Sequence, residues 1–561
     1  MTQEECGALA EEIREKIITT VAECGGHLSS NLGVVELTIA LHRAFDFPYD
    51  QIVFDVGHQC YTHKLLSGRE SRFSTLRREG GLSGFPKRSE SEYDVYETGH
   101  AGTAISAALG LAKARDLKGE HYEVIALVGD GSFNNGLIYE ALNSLKILNT
   151  RALIILNDNG MSISPTVGST HEILTELKEG EKPNLLEDVR LFERFGLEYL
   201  GGYNGNNLKE AEEALALAKE KLKTHSVLLH FSTQKGHGHP FSENAPDRTH
   251  GISPHADGVK TEYSAALGEE LTFLAANNKK IVAVTAAMTD ALGLRGFFDT
   301  YPDRAFDVGI CEEHASVLSA AMAVGGMKPY YAIYSTFLQR AFDEIIHDIC
   351  SQDLPVTFCV DRAGVTGADG ETHQGVFDLS YLSFIPNLTV AIPKNIAQFR
   401  EMLRASATYP HPLAIRYPRY GTEGTAEPVS FGRFEVLHRA QNGRVAILAA
   451  GERCLSLAAE AQNRAGTDVT LINACSLRPL DEELLRSLPE ENVITLEDNV
   501  LIGGLGDAVR RFYAENGISK RVKSFGFADR FLPHGTPASL AKKYGLNAEE
   551  IAAWIQRYAR G

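Results

Sequence analysis

The chain has 561 residues, of which 43% are hydrophobic, and carries 55 Lys and Arg against 73 Asp and Glu, a net charge of −18. This composition argues against a disordered chain, and the acidic balance argues against a nucleic-acid partner because an acidic surface repels phosphate backbones. No apolar run approaches the ~18 residues of a membrane-spanning helix, which excludes that class of protein. At roughly 100–200 residues per domain, the length predicts about three domains.

The cysteines and the start of the chain predict a cellular location. The eight cysteines are scattered and include no Cys-x-x-C, which is typical of a reducing cytoplasm and argues against a zinc site or a disulfide framework. The first residues, MTQEECGALAEEIREK, are acidic and lack an apolar segment, so we predict no signal peptide. We therefore expect a soluble, cytoplasmic, multidomain enzyme.

Short runs rich in Val, Ile, Leu and Ala alternate with amphipathic stretches of helical length along the whole chain. Unalternated apolar runs bounded by turn signals predict strands buried on both faces, and hence parallel sheets covered by helices. We predict an α/β fold with three doubly wound domains and mainly parallel sheets. The predicted strands include residues 124–129, 152–156, 281–285, 356–360, 445–450, 469–473 and 493–497.

Two stretches rich in Gly and Pro, at 235–260 and 417–432, predict domain boundaries. A polar stretch at 169–188 predicts a surface excursion within the first domain. The run LIGGLG at 501–506 completes no dinucleotide-binding fingerprint, so it predicts a turn between a strand and a helix. The predicted domains are 1–255, 256–430 and 431–561.

One β-α-β unit carries the most information about function. The strand at 124–129 ends at Gly129-Asp130-Gly131, and the strand after the next helix ends at Asn157-Asp158-Asn159. The two strands of such a unit are parallel, so both ends lie at the carboxyl edge of the sheet, where ligands bind. Asp130 and Asn159 supply the oxygen ligands that Mg²⁺ prefers when it shares them with a diphosphate. Gly-Asp-Gly alone is more often a plain turn, but the two ends together favour a metal site.

The same motif is typical of thiamine-diphosphate enzymes, and the chain as a whole resembles the 1-deoxy-D-xylulose-5-phosphate synthase family, which is related to transketolase. The resemblance implies a thiamine-diphosphate-binding fold, with a diphosphate- and Mg²⁺-binding first domain, an aminopyrimidine-binding second domain and a transketolase-like third domain. The matching stretches, which extend across all three, are 25–42, 55–69, 80–106, 128–136, 155–164, 334–348, 361–382 and 416–421.

The resemblance implies a specific reaction. A thiamine-diphosphate-dependent transferase of this family decarboxylates pyruvate and condenses the two-carbon unit with D-glyceraldehyde 3-phosphate. This is the first step of the methylerythritol phosphate route to isoprenoids and also supplies precursors of thiamine and pyridoxal. The resemblance further implies a homodimer in which the first two domains of one subunit hold the cofactor, and a mainly dimer-supporting third domain.

The resemblance also assigns residues to the cofactor and to Mg²⁺. Glu312 would bind the aminopyrimidine and Phe337 would stack on it. The alternatives are structural: Glu312 as an acid that stabilises a helix N-terminus, and Phe337 as a core residue. The family usually has Glu-Gln-His where this chain has Glu312-Glu313-His314. The implied metal ligands are Asp130, Asn159 and the backbone carbonyl of Met161. The implied cofactor residues are His58, Gly99, His100, Ala101, Gly129, Asp130, Gly131, Ser132, Asn159, Lys235, Glu312 and Phe337.

Catalysis and substrate binding are assigned in the same way. Carbonyl condensation requires protonation of a developing alkoxide, which suits loop histidines. Arginine binds phosphate through a planar fork of donors, although a structural salt bridge is the alternative for each arginine. The implied catalytic residues are Glu312, His27, His58, His250, His373 and Asp369. The implied phosphate-binding residues are Tyr334, Arg340, Arg362 and Arg419.

The chain departs from the family pattern in two further places, and other functions stay open. The polar segment 165–190 is short, and residues 201–207 (GGYNGNN) replace a stretch that commonly contains Asp-Gly-His. The alternative enzyme is a transketolase-type ketol transferase, which needs no pyruvate. A cofactor-binding relative without activity is a second alternative. A nicotinamide-dependent oxidoreductase fits the α/β pattern but lacks the glycine fingerprint.

Overall fold

The computed structural model describes residues 1–162, 166–179, 185–252, 261–441 and 443–559. The chain forms two compact units, one of Met1–Asp257 with Val308–Cys311 and the other of Gly258–Asp307 with Glu312–Gly561. The predicted boundary at 255 lies outside the described residues, and the division into three domains stays a prediction.

The first unit is built around a five-stranded sheet in which every strand is parallel to its neighbours, in the spatial order β1-β2-β3-β5-β4. Its strands are β1 (Gln51–Phe54), β2 (Val124–Gly129), β3 (Leu153–Asp158), β4 (Leu197–Asn204) and β5 (Ser226–Ser232). Its helices are α1 (Gln3–Cys24), α2 (Leu28–Leu32), α3 (Val35–Ala44), α4 (Tyr61–Lys64), α5 (Ala104–Lys118), α6 (Gly136–Leu148), α7 (Ser169–Glu179), α8 (Leu185–Phe195), α9 (Leu208–Leu222) and α10 (Pro240–Asn244).

Strand β2 shows why this sheet is covered on both faces. Successive side chains of a strand point to opposite faces, and here both directions are apolar. Ile125 and Leu127 pack in one hydrophobic cluster, whereas Ala126 and Val128 pack in the other. The absence of polar alternation in the sequence therefore predicted the layered architecture correctly.

The polar stretch predicted as a surface excursion contributes to the core. Its described residues form α7 and α8, with residues 180–184 outside the described part of the chain. Leu174 and Leu177 of α7 are buried in the cluster that also contains β2 side chains. These leucines and Ile173, which packs against the same cluster, stand among polar residues and give only a weak periodic signal, which explains why the sequence indicated a surface segment.

The second unit contains two large sheets and a small one. The seven-stranded sheet has the order β17-β11-β12-β10-β9-β7-β8, and the five-stranded sheet has the order β14-β16-β15-β18-β19. The edge strands β17 and β14 are antiparallel, and the other pairs in both sheets are parallel. The strands are β6 (Thr261–Glu262), β7 (Ile281–Thr285), β8 (Ala305–Asp307), β9 (Lys328–Tyr334), β10 (Thr357–Asp361), β11 (Thr389–Ala391), β12 (Leu413–Arg416), β13 (Tyr420–Gly421), β14 (Glu435–His438), β15 (Val445–Ala450), β16 (Thr470–Asn473), β17 (Ser476–Arg478), β18 (Asn492–Val500) and β19 (Arg521–Phe527).

Helices cover these sheets as well. The helices are α11 (Tyr263–Asn277), α12 (Arg295–Thr300), α13 (Glu312–Val324), α14 (Ser335–Leu338), α15 (Phe342–Glu344), α16 (Asp378–Ser383), α17 (Ile396–Ser406), α18 (Glu452–Ala465), α19 (Glu482–Ser487), α20 (Leu505–Glu515), α21 (Pro537–Tyr544) and α22 (Ala548–Ala559). The run at 501–506 connects β18 to α20, as predicted.

Within the described ranges, the structure contains no helix that is both long and apolar enough to cross a membrane. The predicted α/β class with mainly parallel sheets is confirmed.

Candidate active site

The carboxyl edge of the first unit's sheet brings Asp130 and Asn159 together. The parallel register pairs Gly129 with Asn157, so the segments that follow β2 and β3 leave the sheet side by side. The backbone N–H of Asn159 donates to Oδ1 of Asp130 at 3.3 Å, although the residues are 29 positions apart in the chain. The side-chain oxygen of Asn159 accepts the N–H of Met161 at 3.2 Å. The three predicted metal ligands therefore lie in one cluster.

The electrostatics of this cluster favour a cation. Asp130 is buried, and its Oδ2 accepts a hydrogen bond from the Thr166 hydroxyl at 2.7 Å. Burial and the nearby carboxylate of Asp158 raise the pKa of Asp130 to about 7, and the Thr166 hydrogen bond opposes this shift. Lys178 lies 2.8 Å from Asp158. Because two carboxylates share this edge, a bound divalent cation would relieve the cost of ionising Asp130.

The two glycines around Asp130 differ in the space beside them. A Cβ atom on Gly131 would lie 2.8 Å from Cβ of Ser162, so the protein itself fills that space. A Cβ atom on Gly129 would meet no heavy atom of the described residues within 4 Å. Ser132 is buried directly after them, and the Asn135 side chain caps α6. Close approach of a ligand is therefore open at Gly129.

Three of the predicted histidines form one cluster in the first unit. The ring centroids of His27 and His58 are 5.3 Å apart, and each lies 5.5 Å from the ring of His250. Phe85 packs edge-on against His27 at 5.8 Å. Burial lowers the pKa of His250 well below its ordinary value, and the positive charge of Lys235 adds to that effect. The His250 ring is therefore neutral at physiological pH.

Asn31, which is not among the predicted site residues, links the segments of this cluster. Its Nδ2 donates to the backbone carbonyls of His27 at 2.6 Å and of His58 at 2.7 Å, and its Oδ1 accepts the N–H of Tyr61 at 2.9 Å. The side chain is completely buried, so its loss would remove three buried hydrogen bonds, each typically worth about 0.5–1.5 kcal/mol. A buried Asn in the short helix α2 has no spacing that reveals such distant partners.

Lys235 lies close to the predicted metal cluster. It is 5% exposed, and its Nζ donates to the backbone carbonyl of Ser162. Burial lowers the pKa of Lys235 to about 8, and the negative charge of Asp130 opposes the shift. A buried ammonium beside a buried carboxylate can contribute a point charge to a bound diphosphate.

The segment that contains Gly99, His100 and Ala101 is fixed to the end of β1. The carboxylate of Asp55, directly after that strand, accepts the N–H of Gly102 at 2.9 Å and of Ala104 at 3.0 Å. These two bonds hold the segment at the carboxyl edge of the sheet, where the other predicted cofactor residues of the first unit lie.

In the second unit, Glu312 is the first residue of α13 and is 2% exposed. Burial raises the pKa of its carboxyl group, and Arg340, with a guanidinium nitrogen 3.4 Å from Oε2, opposes this shift. The Tyr331 hydroxyl donates to the backbone carbonyl of Glu312 at 3.3 Å. The neighbouring Glu313 is only half-buried. The environment of Glu312 therefore favours retention of its proton.

The predicted aromatic platform lies beside two other predicted residues. The rings of Phe337 and Tyr334 are stacked with centroids 5.8 Å apart, and the ring of His373 packs edge-on against Phe337 at 5.6 Å. Nδ1 of His373 lies 2.8 Å from the hydroxyl of Thr372. Asp369 precedes the turn that leads to His373. The structure therefore places Tyr334 and His373 directly beside Phe337.

The three predicted phosphate-binding arginines are each paired with a carboxylate. Arg340 pairs with Glu312, as described above. Arg362 lies 4.6 Å above the ring of Tyr334 and 2.9 Å from Asp361. Arg419 lies 3.0 Å from Glu262. Each guanidinium has five N–H donors, so one carboxylate does not exhaust its capacity to bind a phosphate.

Three family models match successive parts of the chain. The model described as 1-deoxy-D-xylulose-5-phosphate synthase matches residues 1–190. The models described as transketolase, pyrimidine binding domain, and transketolase, C-terminal domain, match residues 259–423 and 434–551.

Similar proteins match along nearly the whole length. A 1-deoxy-D-xylulose-5-phosphate synthase from Clostridium tetani is 43% identical over 99% of this chain and 97% of its own length. One from Clostridium kluyveri is 44% identical over 98% of this chain and 95% of its own. A solved transketolase structure from Campylobacter jejuni covers 99% of this chain and 100% of its own, with 18% identity and a TM-score of 0.47. That structural likeness is too low to support an argument about function.

Proposed function

The chain belongs to the 1-deoxy-D-xylulose-5-phosphate synthase family, and we propose that it decarboxylates pyruvate and joins the two remaining carbons to D-glyceraldehyde 3-phosphate with thiamine diphosphate as cofactor. The products are carbon dioxide and 1-deoxy-D-xylulose 5-phosphate, so the carbon atoms balance. The observation that carries the proposal is the convergence of Asp130, Asn159 and Met161 at one sheet edge. The N–H of Asn159 donates to Oδ1 of Asp130 at 3.3 Å, and the N–H of Met161 donates to Oδ1 of Asn159 at 3.2 Å.

In the first unit, Asp130, Asn159 and the backbone carbonyl of Met161 would hold Mg²⁺ together with a diphosphate. The donor set fits this ion, since it offers a carboxylate, an amide oxygen and a carbonyl, all hard oxygen ligands. The raised pKa of Asp130 supports the fit, because this carboxylate is buried beside Asp158 and lacks full compensation of its charge. Lys235, with its ammonium beside the cluster, would contribute a further positive charge.

When bound, thiamine diphosphate supplies the electron sink that makes loss of carbon dioxide from pyruvate possible. Glu312 would hold and return a proton at the aminopyrimidine, and its raised pKa suits a carboxyl group that hydrogen-bonds to a ring nitrogen. The face of Phe337 would support the same ring. The carboxyl group of Glu312 is buried, so water would not compete with its hydrogen bond to the aminopyrimidine.

The histidines would control protons on the substrates. His27, His58 and His250 are gathered in one cluster, where the neutral His250 can accept or donate a hydrogen bond. His373 and Asp369 would face the carbonyl oxygen that becomes an alkoxide in the condensation. A donor placed at that oxygen stabilises the developing negative charge.

The direct test is an assay with pyruvate, D-glyceraldehyde 3-phosphate, thiamine diphosphate and Mg²⁺. We expect carbon dioxide and a pentulose phosphate in equal amounts. The transketolase-type alternative predicts turnover of a ketose phosphate donor without pyruvate and without carbon dioxide. A cofactor-saturated preparation that forms neither product from pyruvate would refute the proposal.

The phosphate role of Arg362 makes a separate prediction. Arg362→Met removes the planar fork, and we expect kcat/KM for glyceraldehyde 3-phosphate to fall by about 100-fold, the scale of a lost charge-assisted contact. Non-phosphorylated glyceraldehyde should be used equally well by variant and wild type. The control is Arg400→Met on α17, which breaks an ion pair with Glu269 of α11. A parallel loss with both aldehydes would show that Arg362 only maintains the fold.

The homodimer, the arrangement of the site within one subunit and the cytoplasmic location stay predictions. The roles proposed for individual site residues are of the same kind, and the variants described below test the most consequential of them.

A further inference from the structure

The segment 364–375, which we name the His373 loop, rests on the C-terminal part of the chain. Its base is closed by backbone hydrogen bonds in both directions between Gly364 and Gly375, at 2.6 and 2.9 Å. Val365, inside the loop, and Val376, directly after it, are buried in the hydrophobic cluster around the sheet of β14, β16, β15, β18 and β19, which we name the C-terminal sheet. The loop that carries the predicted acid–base residues is therefore built on the core of the C-terminal sheet.

One buried side chain fixes the tip of the His373 loop. Gln374 is 3% exposed, and its Oε1 accepts the backbone N–H groups of Thr366 at 2.8 Å and Gly367 at 3.1 Å. Its Nε2 donates to the backbone carbonyls of Gly367 at 3.3 Å and Pro533 at 3.1 Å. A single amide thus closes the loop on itself and binds it to the segment before α21.

Backbone contacts support the same attachment. The N–H of Gly535 donates to the carbonyl of Gly367 at 3.3 Å. Gly367 has φ +108°, and a Cβ atom there would lie 2.8 Å from the carbonyl oxygen of Gly535. A Cβ atom on Gly370 would lie 3.3 Å from Cβ of His534. The segment 533–535 therefore lies directly against the tip of the loop.

A buried carboxylate secures the base of the loop. Oδ1 of Asp498, in β18, accepts the N–H of Val365 at 3.2 Å, and its Oδ2 lies 2.8 Å from Nε of Arg453 in α18. The His373 loop is thus attached at its base to β18, and further along to the segment 533–535 that precedes α21.

We propose that Gln374 is a positioning residue, and that through it the C-terminal part of the chain sets the placement of His373 and Asp369 toward the aldehyde substrate. The C-terminal part of the chain then contributes to the acceptor half of the site and does not only support assembly. This inference rests on the proposed function, since it assigns a task to the loop in that reaction.

The test is Gln374→Glu, which keeps the shape of the side chain and replaces the donor with an oxygen. The two acceptor contacts can persist, whereas the contacts to the carbonyls of Gly367 and Pro533 are lost. A displacement of about 1 Å at a reacting group can cost about 100-fold in rate. We expect kcat/KM for glyceraldehyde 3-phosphate to fall at least about tenfold, with the KM for pyruvate and the affinity for thiamine diphosphate unchanged.

A matched control separates positioning from stability. Gln398 is equally buried, at 4% exposed, and its Oε1 accepts the N–H of Lys394 at 2.8 Å. Gln398→Glu should lower the melting temperature without a selective effect on the aldehyde. Hydrogen exchange measured on both variants should show faster exchange of the peptide covering 364–375 only in Gln374→Glu.

Two outcomes would overturn the proposal. One is a folded Gln374→Glu enzyme with wild-type kcat/KM for the aldehyde, and the other is a loss shared equally by both glutamine variants. If Gln374→Glu does not fold, Gly367→Ala acts on the same contact by crowding Gly535, with the same expected selectivity. A wild-type protein without activity would refute the proposed function instead, while the exchange measurement would still report whether Gln374 holds the loop.

Discussion

Replacing Glu312 with Gln is expected to lower kcat with pyruvate and glyceraldehyde 3-phosphate by about 1,000-fold, within the range of a lost acid–base group. The amide keeps the volume of the side chain but cannot hold or return a proton. The affinity for thiamine diphosphate, measured by titration of the apoprotein, should change much less than kcat. The control is Glu313→Gln on the same turn of α13, which should remain close to wild type. A fully active Glu312→Gln enzyme would remove this residue from the mechanism.

The same variant should be more stable than the wild-type apoprotein at neutral pH. Burial raises the pKa of Glu312 above its ordinary value of 4.5, so the folded state binds a proton that the unfolded state loses more readily. Below pH 4.5 the carboxyl group is protonated in both states, and it does not change the free energy of unfolding with pH. As the pH rises above 4.5, the unfolded state loses its proton first, so the wild type loses stability that Glu312→Gln retains. The melting temperature of Glu312→Gln should exceed that of the wild type by an amount that grows as the pH rises. A difference that does not change with pH would contradict the expectation.

The sequence was most informative where apolar residues follow a regular pattern along the chain. Unalternated apolar runs predicted strands such as 124–129 and 281–285 because a strand covered on both faces needs no polar side. The parallel direction of the two strands also predicted that Asp130 and Asn159 lie at one edge of the sheet. These predictions needed only periodicity and handedness, which local sequence contains.

What the sequence could not predict depends on contacts between distant segments. Asn31 binds the carbonyls of two histidine segments, and Gln374 binds Pro533, which is 159 positions away. Such partners are backbone carbonyls, and every residue has one, so no residue type marks them. Leu174 and Leu177 were missed for a different reason, because two buried positions in a polar stretch give a weak helical signal. Burial and partner choice are properties of the assembled sheets.

Asp130→Asn is expected to raise the dissociation constant for Mg²⁺, measured with thiamine diphosphate present, by at least about 100-fold, since even loss of a residue behind the ligands costs about 10–100-fold. The substitution removes one negative charge and leaves the side-chain volume unchanged. Titration of the apoprotein with Mg²⁺, or with Mn²⁺ followed by electron paramagnetic resonance, measures this directly. Activity should fall with the metal affinity and recover partly at high Mg²⁺.

Asp50→Asn provides the matched comparison for this metal prediction. Asp50 is also a buried aspartate of the first unit, and it accepts the N–H groups of Asp46 at 2.9 Å and Glu123 at 2.8 Å. Its substitution should lower stability without changing the Mg²⁺ affinity. Both variants remove one buried carboxylate. A loss of Mg²⁺ affinity only in Asp130→Asn would therefore show that the carboxylate of Asp130 binds the metal. Equal Mg²⁺ affinities in wild type and Asp130→Asn would show that this edge holds no metal, and the proposed diphosphate site would lose its basis.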